Sequence, residues 1–272
     1  MIGRLSLFLF IKFAMKLFLL ITCFFIASNS IAQTPKEIEA DLLKSFKKIG
    51  YWRRKLNDTS FNSNDSLDKV NCAFGEQLKF YTSKYPSTIT QNFVSLKKAQ
   101  LNIHTSKDSL FRIYSWDTGL EGTTRNYDFD NVYQYKINNK TNSIFKRDTI
   151  YSSDSGYVYS FSNLYTLKVN GKTYFMGVYN GYFGSWSAGQ GIQVFAIENS
   201  KLNDDVKLIK TKTGLHNQLY YDYSDFWGSK SSIHYDDYSK TICLPVVYEN
   251  GEMTRKFIRY KFTGQYFERV KN

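Results

Sequence analysis

From Gln100 onward the chain alternates apolar and polar residues with a period of two, in short runs broken by small polar turn clusters. Period two is the pitch of a half-buried strand, and a helix cannot use it. The expected strands fall into three units. The first holds 101–103, 111–116, 132–137 and 143–147. The second holds 164–169, 174–179, 192–197 and 206–209. The third holds 232–235, 241–248, 257–262 and 266–270. Each unit opens with a tight turn (Thr105–Ser109, Asn170-Gly171-Lys172 or Asp236–Lys240). Asn-Gly is a strong hairpin signal because both residues accept positive φ. A second hairpin closes each unit, over Asn138–Asn142, Asn199–Asp205 and Thr263-Gly264-Gln265. Two hairpins joined by a variable loop make a four-stranded antiparallel meander, the unit of a propeller blade. The first apolar residues of the second strands are Phe111, Tyr174 and Ile242, spacings of 63 and 68 residues. The fold expected is mainly β: three propeller-blade-like meanders over 96–272, with a β-sandwich as the alternative. The 22 Tyr and 22 Phe agree with it, since aromatic rings favour strands.

Before the strands come two helical stretches, expected to form an N-terminal α-helical hairpin over 33–95. Thr34-Pro35-Lys36-Glu37 is a capping box with Pro at the first helical position, and Ile38, Leu42, Phe46 and Ile49 follow at helical spacing. Asp65-Ser66-Leu67 opens a second helix that Pro86 terminates.

Residues 1–32 read as a signal peptide. Met15 and Lys16 precede the apolar run Leu17–Ala27, and Ser30-Ile31-Ala32 supplies small residues three and one before the cut. Neither apolar run, Leu5–Phe13 nor Leu17–Ala27, reaches the roughly 20 residues of a spanning helix. A lipid-attachment box at Leu20-Ile21-Thr22-Cys23 is the third reading, weakened by Thr22 and by the apolar run continuing past Cys23. The expected location is therefore the periplasm, the outer surface or the medium, with no membrane span after cleavage. Cys72 and Cys243 are the cysteines left in a compartment that permits disulfides, which makes them a candidate bridge. The net charge of +12 is dispersed, so nucleic acid is not the expected partner.

Together, the Ala32-Gln33 cut, the segment Phe111-Arg112-Ile113-Tyr114-Ser115-Trp116-Asp117 and the ending Phe262-Thr263-Gly264-Gln265-Tyr266-Phe267 resemble exported bacterial proteins of uncharacterised activity with a helical head and a propeller-like β-rich body. The resemblance implies fold and location and carries no chemistry.

No Gly-x-Ser-x-Gly elbow or phosphate-binding Gly loop occurs, and His104, His216 and His234 make no metal-ligand spacing. No metal, cofactor or catalytic set is expected. Asp128 and Asp130 read as a solvated strand end, Asp236 and Asp237 as turn residues. The stretch with most recognition character is 180–191, which mixes glycines with Tyr182, Phe183 and Trp186. Amphipathic rings on a loop held by a rigid scaffold suit sugars or peptides. Tyr182, Trp186, Tyr223 and Trp227, with Arg125 at the rim, are the expected binding face for a glycan or an envelope protein. The alternatives are a glycan-directed hydrolase using Asp222, Asp225 and Asp236, and a structural envelope component.

Overall fold

The computed structural model describes residues 33–56, 62–120, 128–147, 159–182, 187–224 and 232–270. The expected signal peptide lies outside them, as do Arg125, Trp186, Asp225 and Trp227. The chain divides into two compact units, Met1–Ile38 and Glu39–Asn272. In the first, Thr34 and Glu37 form the expected capping box: the Thr34 N–H donates to Glu37 Oε2 at 2.8 Å, and the Glu37 N–H to Thr34 Oγ1 at 3.3 Å. The helix Pro35–Arg53 starts there. No helix among the described residues is long and apolar enough to cross a membrane.

The second unit is mainly β, with antiparallel sheets and few helices. Strands β1 (Asn102–Thr105), β2 (Phe111–Asp117), β3 (Phe129–Ile137) and β4 (Lys140–Arg147) form one meander in chain order. A second sheet runs β11-β7-β6-β5, from β5 (Ser160–Val169), β6 (Lys172–Tyr182), β7 (Ser187–Glu198) and β11 (Gln218–Ser224). The short β8 (Lys201–Asn203) pairs with the end of β7. The third sheet is six-stranded, β10-β9-β15-β14-β13-β12. Its strands are β9 (Ile209–Thr211), β10 (Gly214–His216), β12 (His234–Asp236), β13 (Thr241–Val247), β14 (Met253–Phe262) and β15 (Phe267–Arg269). None of the sheets closes on itself.

One expected strand moves. Residues 206–209, read as the fourth strand of the second unit, leave that sheet: Ile209 pairs in parallel with Phe267 of β15. Val206, Leu208 and Ile209 are all apolar and all buried in the cluster shared by the second and third sheets. The vacated position is filled by β11, whose seven residues pair with β7 from Gln218–Gln193 to Ser224–Ser187.

The β6–β7 hairpin of the second sheet is buried on both faces. Phe161, Phe175, Tyr179 and Phe195 meet Phe111, Ile113, Tyr133 and Tyr135 of the first sheet, with ring centroids 5.2 Å apart for Phe111–Phe195 and 5.3 Å for Phe111–Phe175. The opposite face presents Met176, Val178, Ile192 and Val194 to Ile233, just before β12, and to Ile242, Leu244 and Phe267 of the third sheet. One face is aromatic and the other aliphatic.

The far face of the first sheet is covered by the helix Ser63–Lys84, in which Phe74 stands edge-on to Trp116 at 4.9 Å. Trp116 is fully buried and its indole N–H donates to Asn71 Oδ1 at 3.0 Å. Asn71 in turn donates to the Leu67 and Thr118 carbonyls at 2.9 Å each. Gln134 spans the same layer, donating to the Thr82 carbonyl at 2.8 Å and to Thr88 Oγ1 at 2.7 Å. A buried amide left unpaired costs about 1–3 kcal/mol, so these contacts fix the seat of the helix rather than merely permit it.

Cys72 and Cys243 are free thiols and the candidate bridge is absent. Cys72 sits on the helix outside the first sheet and Cys243 on β13 of the third. Sheet spacings of about 10 Å exceed the roughly 7 Å that a disulfide allows between Cα atoms.

Gly75 marks where helix and sheet come closest: a Cβ there would lie 2.0 Å from the Phe145 ring. Gly75→Ala is expected to destabilise by about 1–3 kcal/mol in urea unfolding, against a helix-propensity gain of at most about 1 kcal/mol. Adding Phe145→Leu should recover most of the loss. A stabilised single variant would contradict this packing.

Candidate functional site

The site is built on the β6–β7–β11 end of the second sheet. Register sets it: Tyr179 pairs with Gly191, and Gly191 with Tyr220. Gly191 is required between the two tyrosines, since a Cβ there would lie 2.1 Å from the Tyr179 ring. The ring therefore lies across the Gly191 backbone and its hydroxyl donates to Gln218 Oε1 of β11 at 3.0 Å. Tyr159 stacks on Tyr179 at 4.4 Å and 15°. Burial, with Tyr159, Tyr220 and Asp222 close by, pushes the Tyr179 phenol above its ordinary range, so it acts as a hydrogen-bond donor.

β11 alternates cleanly. Gln218, Tyr220 and Asp222 are exposed, while Tyr223 is buried. The parity is fixed by Tyr221, whose hydroxyl donates to Gln190 Oε1 at 3.0 Å. Gln190 is a junction. Its oxygen also accepts from the Ile233 N–H at 2.6 Å and Ser232 Oγ at 3.1 Å, and its amide donates to Asn180 at 2.7 Å. One side chain thus ties β6, β7, β11 and the entry to β12. Because Tyr221 is held on the inner face, Tyr220 and Asp222 stand on the outer one, with Tyr220 64% exposed.

Of the expected binding face, Tyr182 and Tyr223 both pair with Ala188, so the backbone brings those positions into one row. Tyr223 is 8% exposed, its ring 6.0 Å from Tyr221, which removes it from a contact surface. Trp186, Trp227 and Arg125 fall outside the described residues. Tyr220 is not among the expected binding residues, although strict alternation through Tyr220-Tyr221-Asp222-Tyr223 places 220 and 222 opposite 221 and 223.

The described acids do not gather. Asp222 lies on β11, whereas Asp236 lies at the β12–β13 turn, its carboxylate accepting from the Tyr238 N–H at 3.0 Å and Ser239 Oγ at 2.6 Å. Asp130 is buried against Arg147, with Nε–Oδ2 at 3.3 Å, so the solvated strand end expected there is a buried ion pair instead. No group of three or more His, Cys, Asp or Glu among the described residues could hold a metal ion. A cleft of about 340 Å³ lies between Leu110, Lys136, Lys172 and Glu198, and another of about 730 Å³ between Lys84, Pro86, Asn138 and Lys140. Neither is lined by a residue of β11.

The histidines are structural in their contacts. His216 Nε2 lies 2.9 Å from Thr213 Oγ1, and the His234 ring packs edge-on to Phe257 at 5.1 Å. Comparison with family models, with curated proteins and with solved structures gives no match.

His104 on β1 is held down to about 4 by burial first and by the Lys97 charge second. The folded chain keeps it neutral while the unfolded chain protonates it near 6.5. Between these values the unfolded state binds more protons, so stability falls as the pH drops from 6.5 to 4, by about 3 kcal/mol at most. Urea midpoints at pH 7 and 4.5 should show this slope, and His104→Gln should flatten it. An unchanged slope in the variant would assign the acid sensitivity elsewhere.

Proposed function

We propose that the chain is an exported binding module of the cell envelope, and that it makes contact through the Gln218–Tyr220–Asp222 strip. The observation that carries this reading is Tyr220: a large ring left 64% exposed on a strand whose other side is locked by the Tyr221–Gln190 bond. An exposed ring on a rigid support loses little freedom on binding, which is what a contact residue needs. Tyr238, 99% exposed, stands instead at the tip of a turn. The reading of residues 1–32 as an export signal supports an envelope or extracellular site of action.

The same proposal takes the three sheets as blades of an open, propeller-like arc, with the helix Ser63–Lys84 over the first. Its support is that an edge strand of each sheet, β1, β5 and β12, adjoins the next. Asn102 of β1 donates to Ser160 of β5 at 3.1 Å, and the Tyr165 and Tyr235 rings of β5 and β12 lie 5.8 Å apart. On such a scaffold β11 takes the outer position of the middle blade, where side chains reach solvent.

The test is retention. The secreted chain, mixed with washed envelopes, should co-sediment, and Tyr220→Ala should lower the retained fraction at least about fivefold while Tyr238→Ala leaves it unchanged. Equal retention of both variants would remove the strip from the contact, and no retention of the parent chain would sink the binding reading.

A further inference from the structure

Resting on that reading of the strip, we infer that its ligand is an uncharged glycan chain, bound with a sugar ring flat on Tyr220 and its hydroxyls shared between Asp222 and Gln218. At about 3.3 Å per residue, Gln218 and Asp222 stand roughly 13 Å apart along β11, with Tyr220 midway. The strip therefore offers an aromatic platform flanked by two polar groups, longer than one sugar ring.

The chemistry of the flanks selects the class. The Gln218 oxygen is occupied by the Tyr179 hydroxyl, so the group it turns to a ligand is its amide N–H₂, a donor. Asp222 is an acceptor. A hydroxylated chain both gives and takes hydrogen bonds and satisfies the two ends together. A cation would suit Tyr220 and Asp222 but carries donors only, and leaves the Gln218 amide facing another donor. An acidic chain meets the Asp222 carboxylate with like charge. A strand-adding peptide would dock on the open edge of β11 through its backbone, so its affinity would come from main-chain hydrogen bonds rather than from the Tyr220 ring.

Calorimetry with the secreted chain and three probes (chitohexaose, cellohexaose and hexalysine) tests the class. At least one hexasaccharide should bind, about tenfold more weakly to Tyr220→Ala, which matches the loss of one ring contact of about 1.4 kcal/mol. Tyr220→Phe should bind within about threefold of the parent, and Tyr238→Ala as the parent does. Saccharide binding unmoved by Tyr220→Ala would overturn the placement. Hexalysine binding lost in Asp222→Asn, with neither saccharide bound, would overturn the glycan class in favour of a cation. If neither saccharide binds but envelope retention still requires Tyr220, the glycan class is wrong and the binding module stands. If retention is lost too, both fall.

Discussion

The structure depends on the two-faced burial of the β6–β7 hairpin. Tyr179, Phe175 and Phe195 leave by one face and Met176, Val178, Ile192 and Val194 by the other, so one hairpin supplies a wall to two cores. Burying a large apolar side chain is worth about 1.5–3 kcal/mol, and here Phe175, Met176, Val178, Tyr179, Ile192, Val194 and Phe195 all contribute. Isolated hairpins are marginal in water; this one is stable because the first sheet and the third each cover a face. The difference between the faces also specifies partners. Aromatic rings meet tilted or edge-on against Phe111 and Tyr133, whereas the branched aliphatic side chains mesh with Ile242, Leu244 and Phe267.

The exposed strip follows from that arrangement. β11 extends the central sheet past β7, and the hydrogen bond from Tyr221 to Gln190 decides which of its faces points inward. A slip of one residue would send Tyr220 and Asp222 to the Gln190 side and expose Tyr221 and Tyr223. The buried glutamine thus does for β11 what Asn71 does for the helix over the first sheet: it pairs several polar groups at once and leaves a single register in which they are all satisfied.

The strands were legible because period two survives wherever one face is wet, and the Asn170-Gly171 turn was legible because both residues take positive φ, 50° and 73°. The capping box at Thr34 was legible for the same local reason. What could not be read was allegiance. Val206–Ile209 is a short apolar run that suits either adjoining sheet, and only the competition with β11 for the edge of β7 sends Ile209 to β15. Tyr223 and Tyr220 look alike in sequence; the hydrogen bond of their neighbour to a residue about thirty positions away separates buried from exposed. Nothing in their polar side chains marks Asn71, Arg112 and Gln134 for burial, yet each is buried with its partners on another element. The cysteines misled because sharing a compartment that permits disulfides says nothing about distance.

Native-state hydrogen exchange resolved by strand tests the central role of the hairpin most directly. Segments that open only with the whole domain exchange at the global free energy, while peripheral ones open sooner. The amides of Met176–Tyr179 and Ile192–Phe195 should be the slowest in the chain and should merge with global unfolding, with the short strands β10 and β12 exchanging well before them. If β10 or β12 proved as protected as the β6–β7 amides, or if β6–β7 opened while the first sheet stayed closed, the hairpin would not be the element on which the rest is built.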